Sequence, residues 1–169
     1  MKKYRTLEFW LTLLLLLVAV ITSVAAYIFW YRLTFFVGSY LLIHWLGIIA
    51  TTFIVVSIPI HYVIKRKRSQ NFKRILKVHI IGNLVAFLLI SIHFAQNIAR
   101  LAEAPERLGI GFVLYLVLSL IVATGIVERY QKNGKLLIYI KHIHKYTALI
   151  LYSVMLIHLL EGFNILTHT

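Results

Sequence analysis

The segment LKVHIIGNLVAFLLISIHFAQNIA, residues 76–99, decides the fold of this chain. Its only charged residue is Lys77, at one edge, and every other position is apolar, small or polar and uncharged. A helix that crosses a bilayer needs about 20 consecutive, mostly apolar residues. Backbone groups in lipid must be hydrogen-bonded within the segment, so a stretch of this kind is predicted to be a transmembrane helix.

Four further segments have the same character. Breakers lie between them, namely Gly38-Ser39, the basic run 65–71, Pro105 and Asn133-Gly134. The chain is therefore predicted to be an all-α integral membrane protein, with one transmembrane domain over residues 1–169 and five spans. The predicted spans are residues 9–30, 40–64, 76–99, 108–127 and 138–163.

Composition supports a membrane protein and excludes several other classes. Of the 169 residues, 61% are hydrophobic and 14% charged, and the mean hydropathy is +0.87. In a soluble domain roughly 45–50% of the residues are hydrophobic and about 25% are charged. The chain contains no Cys, which excludes iron–sulfur clusters, Cys-ligated zinc, thiol catalysis and covalently attached c-type haem.

The positive charges predict the orientation. Fifteen of the 18 Lys and Arg residues lie at the N-terminus, or in the connections between spans 2 and 3 and between spans 4 and 5 and the adjoining first turns of spans 3 and 5. By the positive-inside rule this side is cytoplasmic, so we expect the N-terminus inside, the C-terminus outside, and a multi-pass protein of the cell membrane. The net charge of +13 is accounted for by topology and lipid headgroups rather than by nucleic acid.

Four of the eight histidines form two equally spaced pairs. His79 and His93 lie 14 residues apart on span 3, and His144 and His158 lie 14 residues apart on span 5. Fourteen residues make close to four helical turns and a rise of about 21 Å. Each pair therefore occupies one helix face, with one imidazole near each side of the membrane.

Spans 3 and 5 run in the same direction because one span separates them. His79 and His144 are then predicted at the inner depth, and His93 and His158 at the outer depth. Low-spin haem iron takes two axial ligands, and helix bundles build such sites from facing helices. The spacing predicts two haem b groups, each held by one imidazole from span 3 and one from span 5. The alternative is two interhelical histidine pairs that only stabilise the bundle.

These four histidines resemble those of membrane di-haem b-type cytochromes. The doubled 14-residue spacing is similar to that of the cytochrome b of quinol oxidoreductases and of ferric-reductase-like transmembrane domains. The resemblance covers the chain from His79 to His158. It implies non-covalent haem b and electron transfer across the membrane.

Other polar residues have two interpretations each. Arg100 and Lys145 are predicted to bind haem propionates, or else lipid headgroups. Glu161 is a proton acceptor near the outer haem or an interface residue. His44 and His61 are 17 residues apart on span 2, which places them about 100° apart around the helix. One straight helix could not aim both at the same neighbour, but Pro59 could kink it. We expect the two histidines at the outer and inner membrane interfaces, where they could bond haem propionates, with haem ligation as the less favoured alternative.

The sequence thus predicts transmembrane electron transfer, with electrons exchanged with quinone or with a partner redox subunit. Membrane lipid is the surrounding partner, and nucleic acid is not expected. One alternative is a free-standing reductase that acts on ferric ion, oxygen or superoxide. An alternative of another class is a haem-free transporter or assembly protein.

Overall fold

The computed structural model describes residues 2–67, 70, 72–100, 109–131 and 134–162, with side chains from residue 7 to residue 160. It contains five long helices: α1 (Lys2–Ile28), α2 (Leu42–Arg66), α3 (Phe72–Ala99), α4 (Gly109–Tyr130) and α5 (Gly134–Gly162). All five are long and apolar enough to cross a membrane. By length and composition, the prediction of an all-α, multi-pass membrane protein with five spans is confirmed.

The helices extend beyond several of the predicted spans. Helix α1 begins at Lys2 instead of residue 9, and α5 begins at Gly134 instead of residue 138. The predicted spans include only the apolar residues that lie in the hydrocarbon core of the bilayer. The backbone hydrogen bonds of a helix can continue beyond it, into the layer of lipid headgroups. The predicted limits at residues 108 and 163 lie outside the described residues.

The connection between α1 and α2 has its own structure. A short 3-10 helix (Trp30–Leu33) leads into strands β1 (Phe36–Val37) and β2 (Tyr40–Leu41), which pair antiparallel. Gly38 adopts a φ of 62°, a backbone conformation that residues other than glycine rarely adopt. The Trp45 Nε1–H group donates a 2.8 Å hydrogen bond to the Val37 carbonyl and holds the hairpin on α2. Span 2 therefore begins at Leu42, two residues later than predicted.

The chain divides into two compact units. The first, Met1–Glu103, contains α1, α2 and α3, and the second, Ala104–Thr169, contains α4 and α5. In the first unit α3 packs against both α1 and α2. Thr12, Ala19 and Ala26 of α1 are buried at intervals of seven residues, as expected for closely packed membrane helices with small residues at the seam. In the second unit α4 packs against α5.

Candidate functional site

The structure places each histidine pair within one unbroken helix. His79 and His93 both lie on α3, and His144 and His158 both lie on α5. All four residues are half-buried. Because neither helix is interrupted, the predicted spacing of about four turns is realised within each unit.

The imidazole of His93 is held in one tautomer by the neighbouring helix. Its Nδ1 atom lies 2.9 Å from the main-chain carbonyl oxygen of Ile43 on α2. A carbonyl only accepts, so Nδ1 carries the proton and Nε2 carries the lone pair. Metal-binding histidines typically donate their second nitrogen to such a carbonyl. The amide nitrogen of Asn97 lies 3.1 Å from Nε2 and would have to turn away before a metal could bind there.

His144 has the same tautomer for a different reason. Its Nδ1 atom lies 3.1 Å from the hydroxyl oxygen of Thr124 on α4. The Thr124 hydroxyl is also 2.8 Å from the Leu120 carbonyl oxygen, to which it donates its proton. Thr124 therefore accepts from His144, and the His144 Nε2 atom carries the lone pair. Two of the four predicted ligands thus have Nε2 in the form that binds iron.

His79 is arranged differently. The side-chain amide nitrogen of Asn83 lies 3.0 Å from His79 Nδ1 and also donates to the His79 carbonyl. Ser57 of α2 donates to the other end of the same amide, at 3.3 Å. The amide is therefore oriented as a donor, and the His79 proton lies on Nε2. Iron could bind at that nitrogen only after this proton moves.

Glycines on the adjacent helices lie beside three of the imidazoles. A Cβ atom at Gly47 would lie 3.4 Å from the His93 ring, and one at Gly111 would lie 3.6 Å from the His158 ring. At Gly125 it would lie 3.0 Å from His144 Cε1, which is closer than a side chain tolerates without displacement. Gly111 and Gly125 are themselves 14 residues apart. Helix α4 therefore repeats the histidine spacing of α5 with residues that leave room.

The expectation that His44 and His61 cannot face one neighbour is wrong. The His44 ring centroid lies 6.1 Å from that of His93, and the His61 ring stacks on His79 at 4.3 Å. Both therefore contact α3. A packed helix face spans about 100° or more, so residues 100° apart reach the same neighbour from its two edges. The face-to-face stack of His61 and His79 does not suit two ligands on opposite sides of one iron.

The remaining predicted residues lie at helix ends or on exposed surfaces. Arg100 follows the last residue of α3, and its main-chain N–H group donates hydrogen bonds to the carbonyl oxygens of Gln96 and Asn97. Lys145 is exposed on α5, with its ammonium 6.0 Å from the ring centroid of Tyr146. His142, which is not among the predicted ligands, is exposed, and its Nδ1 atom hydrogen-bonds the Ile138 carbonyl. The Glu161 side chain lies outside the described part of the chain.

Sequence reasoning missed Thr124 and the glycines. The sequence does contain a signal for two of the glycines, which recur at 111 and 125 with the histidine spacing. It contains another for the asparagines that bond the α3 histidines, which follow them by four residues at 83 and 97. The Thr124 contact had no sequence signal, because Thr124 and His144 lie 20 residues apart on different helices.

No known protein family, curated protein or solved structure matches this chain.

The tautomers suit haem ligation at two of the four positions. At His93 and His144 the proton lies on Nδ1 and the lone pair on Nε2, although at His93 the Asn97 amide would have to turn away first; His158 lies beside Gly111. Ala86, Leu151 and Met155, which lie between the paired histidines in sequence, are all buried. At His79 ligation requires a change of tautomer. No group of three His, Asp or Glu side chains forms a metal site within the described ranges, but axial ligation requires only two.

Proposed function

We propose that this protein transfers electrons across a membrane through two haem b groups. In this proposal His93 and His158 bind one haem, and His79 and His144 bind the other. When bound, the haems supply reversible one-electron chemistry at iron. The chain contributes the axial imidazoles, apolar surroundings that exclude water, and Arg100 and Lys145 as partners for the propionates.

One observation carries the proposal: the 14-residue period occurs on both helices of the second unit. Histidines recur on α5 and glycines recur on α4, and each glycine lies beside one imidazole. Glycine lets α4 approach both imidazole rings closely, and at Gly125 even a Cβ atom would press on the ring. Two imidazoles held in this way about four turns apart are what two cofactors at two depths would require of α5.

The first experiment counts the cofactor. The protein is purified from the membranes of cells grown with sufficient haem. After chemical reduction it is expected to show the absorption spectrum of a b-type cytochrome. Two haems per chain are expected, resolved as two components in a redox titration. Protein that contains no haem and binds none when haem is added would contradict the proposal. The histidines would then be packing residues of a haem-free membrane protein. One haem per chain would contradict the two-site arrangement.

The electron partner is proposed to be the quinone pool or a docked redox subunit. The sequence-based alternative is a free-standing reductase acting on ferric ion, oxygen or superoxide. Stopped-flow reoxidation of the reduced protein distinguishes them. Faster reoxidation by a quinone analogue than by ferric chelates or oxygen supports the first role, and the reverse order supports the second.

We further propose that the protein lies in the cell membrane with its N-terminus in the cytoplasm. The chain has no Cys, so single cysteines can be introduced without background. Ser39→Cys, in the α1–α2 hairpin, is expected to react with a membrane-impermeant maleimide added to intact cells. Lys135→Cys, at the start of α5, is expected to react only after the cells are opened. The opposite pattern would invert the topology.

Thr124 offers a test of how His144 is positioned. Thr124→Val keeps the shape and removes the acceptor for the His144 Nδ1 proton. Loss of a hydrogen bond to a ligating histidine typically weakens metal binding by roughly 10–100-fold. We therefore expect retention of one haem to fall by about that factor in a competition with apomyoglobin, while Thr124→Ser retains both haems.

Thr22→Val is a matched control for this change. Like Thr124, Thr22 bonds carbonyl oxygens three and four residues earlier in its own helix, and it lies on α1, a helix that carries no histidine. Haem retention in Thr22→Val should equal that of the wild type. Equal loss in both valine variants, or no loss in Thr124→Val, would show that Thr124 does not position a ligand.

A further inference from the structure

A narrow apolar groove runs between α2 and α3 at the end of the first unit where the two helices are joined. Its free volume is about 180 Å³. Ser57 and His79 contribute to its walls, but the exposed surface of those walls is carbon. Its apolar lining residues are Phe53, Val56, Ile60, Ile75 and Val78.

The size and lining of the groove limit what it can hold. Pockets for drug-sized ligands or cofactors usually measure about 300–1,000 Å³ and contain a few directed polar groups. A quinone ring would find no donor for its carbonyl oxygens here, and a porphyrin exceeds the volume. Val56, Ile60 and Val78 are about half exposed, so the groove opens sideways. A hydrocarbon chain fits these properties.

Cations flank the groove residues along both helices. Within a helical turn or two of the lining residues lie six exposed basic side chains. They are Lys65, Arg66 and Lys67 at the end of α2, and Lys73, Arg74 and Lys77 at the start of α3. The described residues of the first unit contain a single carboxylate, that of Glu8 on α1. These cations therefore have little internal charge to neutralise them.

We propose that this groove and its cations form a binding site for an anionic phospholipid. One acyl chain lies in the groove, and the phosphate contacts the basic side chains above it. Basic pockets between transmembrane helices bind anionic lipid headgroups in this way. His79, a proposed haem ligand, contributes to one wall of the groove, but the lipid would be held by the apolar side chains and the cations, so the proposal does not depend on the proposed function.

Native mass spectrometry of the full-length protein tests the site. The protein is released from micelles that contain equal amounts of phosphatidylglycerol and phosphatidylcholine. We expect the wild type to retain one phosphatidylglycerol in preference to phosphatidylcholine. Each cation near an anionic headgroup contributes about fivefold in affinity, so Arg74→Gln with Lys77→Gln should reduce the preference by roughly twenty-five-fold. Val56→Trp, which fills the groove, should reduce retention of both lipids.

Two matched variants complete the experiment. Lys135→Gln with Lys141→Gln removes two cations from α5, and Val20→Trp adds the same bulk to an exposed position of α1. Both should retain phosphatidylglycerol as the wild type does. Equal losses in the α3 and α5 charge variants would show a general charge effect and overturn the proposal. Unchanged retention in Val56→Trp would show that the groove holds no chain.

Discussion

His93→Ala is expected to lose one of the two haems and keep the other. Alanine provides no nitrogen for iron, and neither Asn97 nor Ile43, the partners of the His93 ring, supplies an imidazole in its place. The haem content should fall from two per chain to one, and one component should disappear from the redox titration. The midpoint potential of the remaining haem should stay close to its wild-type value, apart from the shift caused by losing the charge of the neighbouring haem.

His142→Ala and His44→Ala are the controls for this result. His142 is exposed and bonds only its own helix among the contacts described, so its removal should leave both haems in place. His44 lies beside His93 and tests whether α2 supplies a ligand instead. Loss of a haem in His44→Ala, with both haems retained in His93→Ala, would transfer the ligand assignment to α2. Circular dichroism and gel filtration confirm that each variant is folded.

Gly125→Leu is expected to remove the haem held by His144 while leaving the protein helical. A Cβ atom at this position would lie 3.0 Å from His144 Cε1, and the rest of a leucine side chain cannot enter without displacing the ring. The helix itself should gain stability, because leucine is a better helix former than glycine by nearly 1 kcal/mol. Loss of haem with unchanged or higher helicity would therefore come from the site and not from unfolding.

Gly109→Leu is the matched change in the same helix. No atom of the described residues lies within 4 Å of a Cβ atom at Gly109, so this variant should bind both haems. Alanine substitutions provide a finer scale, since they add the Cβ atom alone. Gly111→Ala, at 3.6 Å from His158, makes an ordinary contact and should be tolerated better than Gly125→Ala. Normal haem content in Gly125→Leu would show that the space beside His144 has no part in cofactor binding.

The helices could be predicted from sequence because each is a local property of the chain. A run of about 20 apolar residues must satisfy its own backbone hydrogen bonds in lipid. All five predicted spans are therefore present as helices. Their ends were predicted less well. Helix α2 starts at Leu42 because the Gly38 turn and the Trp45–Val37 bond form a hairpin, and apolarity does not reveal such a turn.

The candidate site was only partly accessible to sequence reasoning. The spacing of His79 and His93 follows from the period of one helix, and the structure places both on α3. The neighbour that His44 and His61 share was not predicted, because a single helix considered alone does not show how wide its packed face is. Both rings contact α3, and no rule of spacing within α2 predicts that.

The sequence by itself determined that this protein has five apolar helices and that four histidines recur at matched intervals on two of them. Periodicity within a helix needs no partner, so these features follow from residue order. The tertiary structure decided which nitrogen carries the proton in His79, His93 and His144 and which residues lie beside those rings. Those properties depend on contacts between helices, such as Ile43 with His93 across 50 residues and Thr124 with His144 across 20. Such contacts arise only when the helices pack against one another.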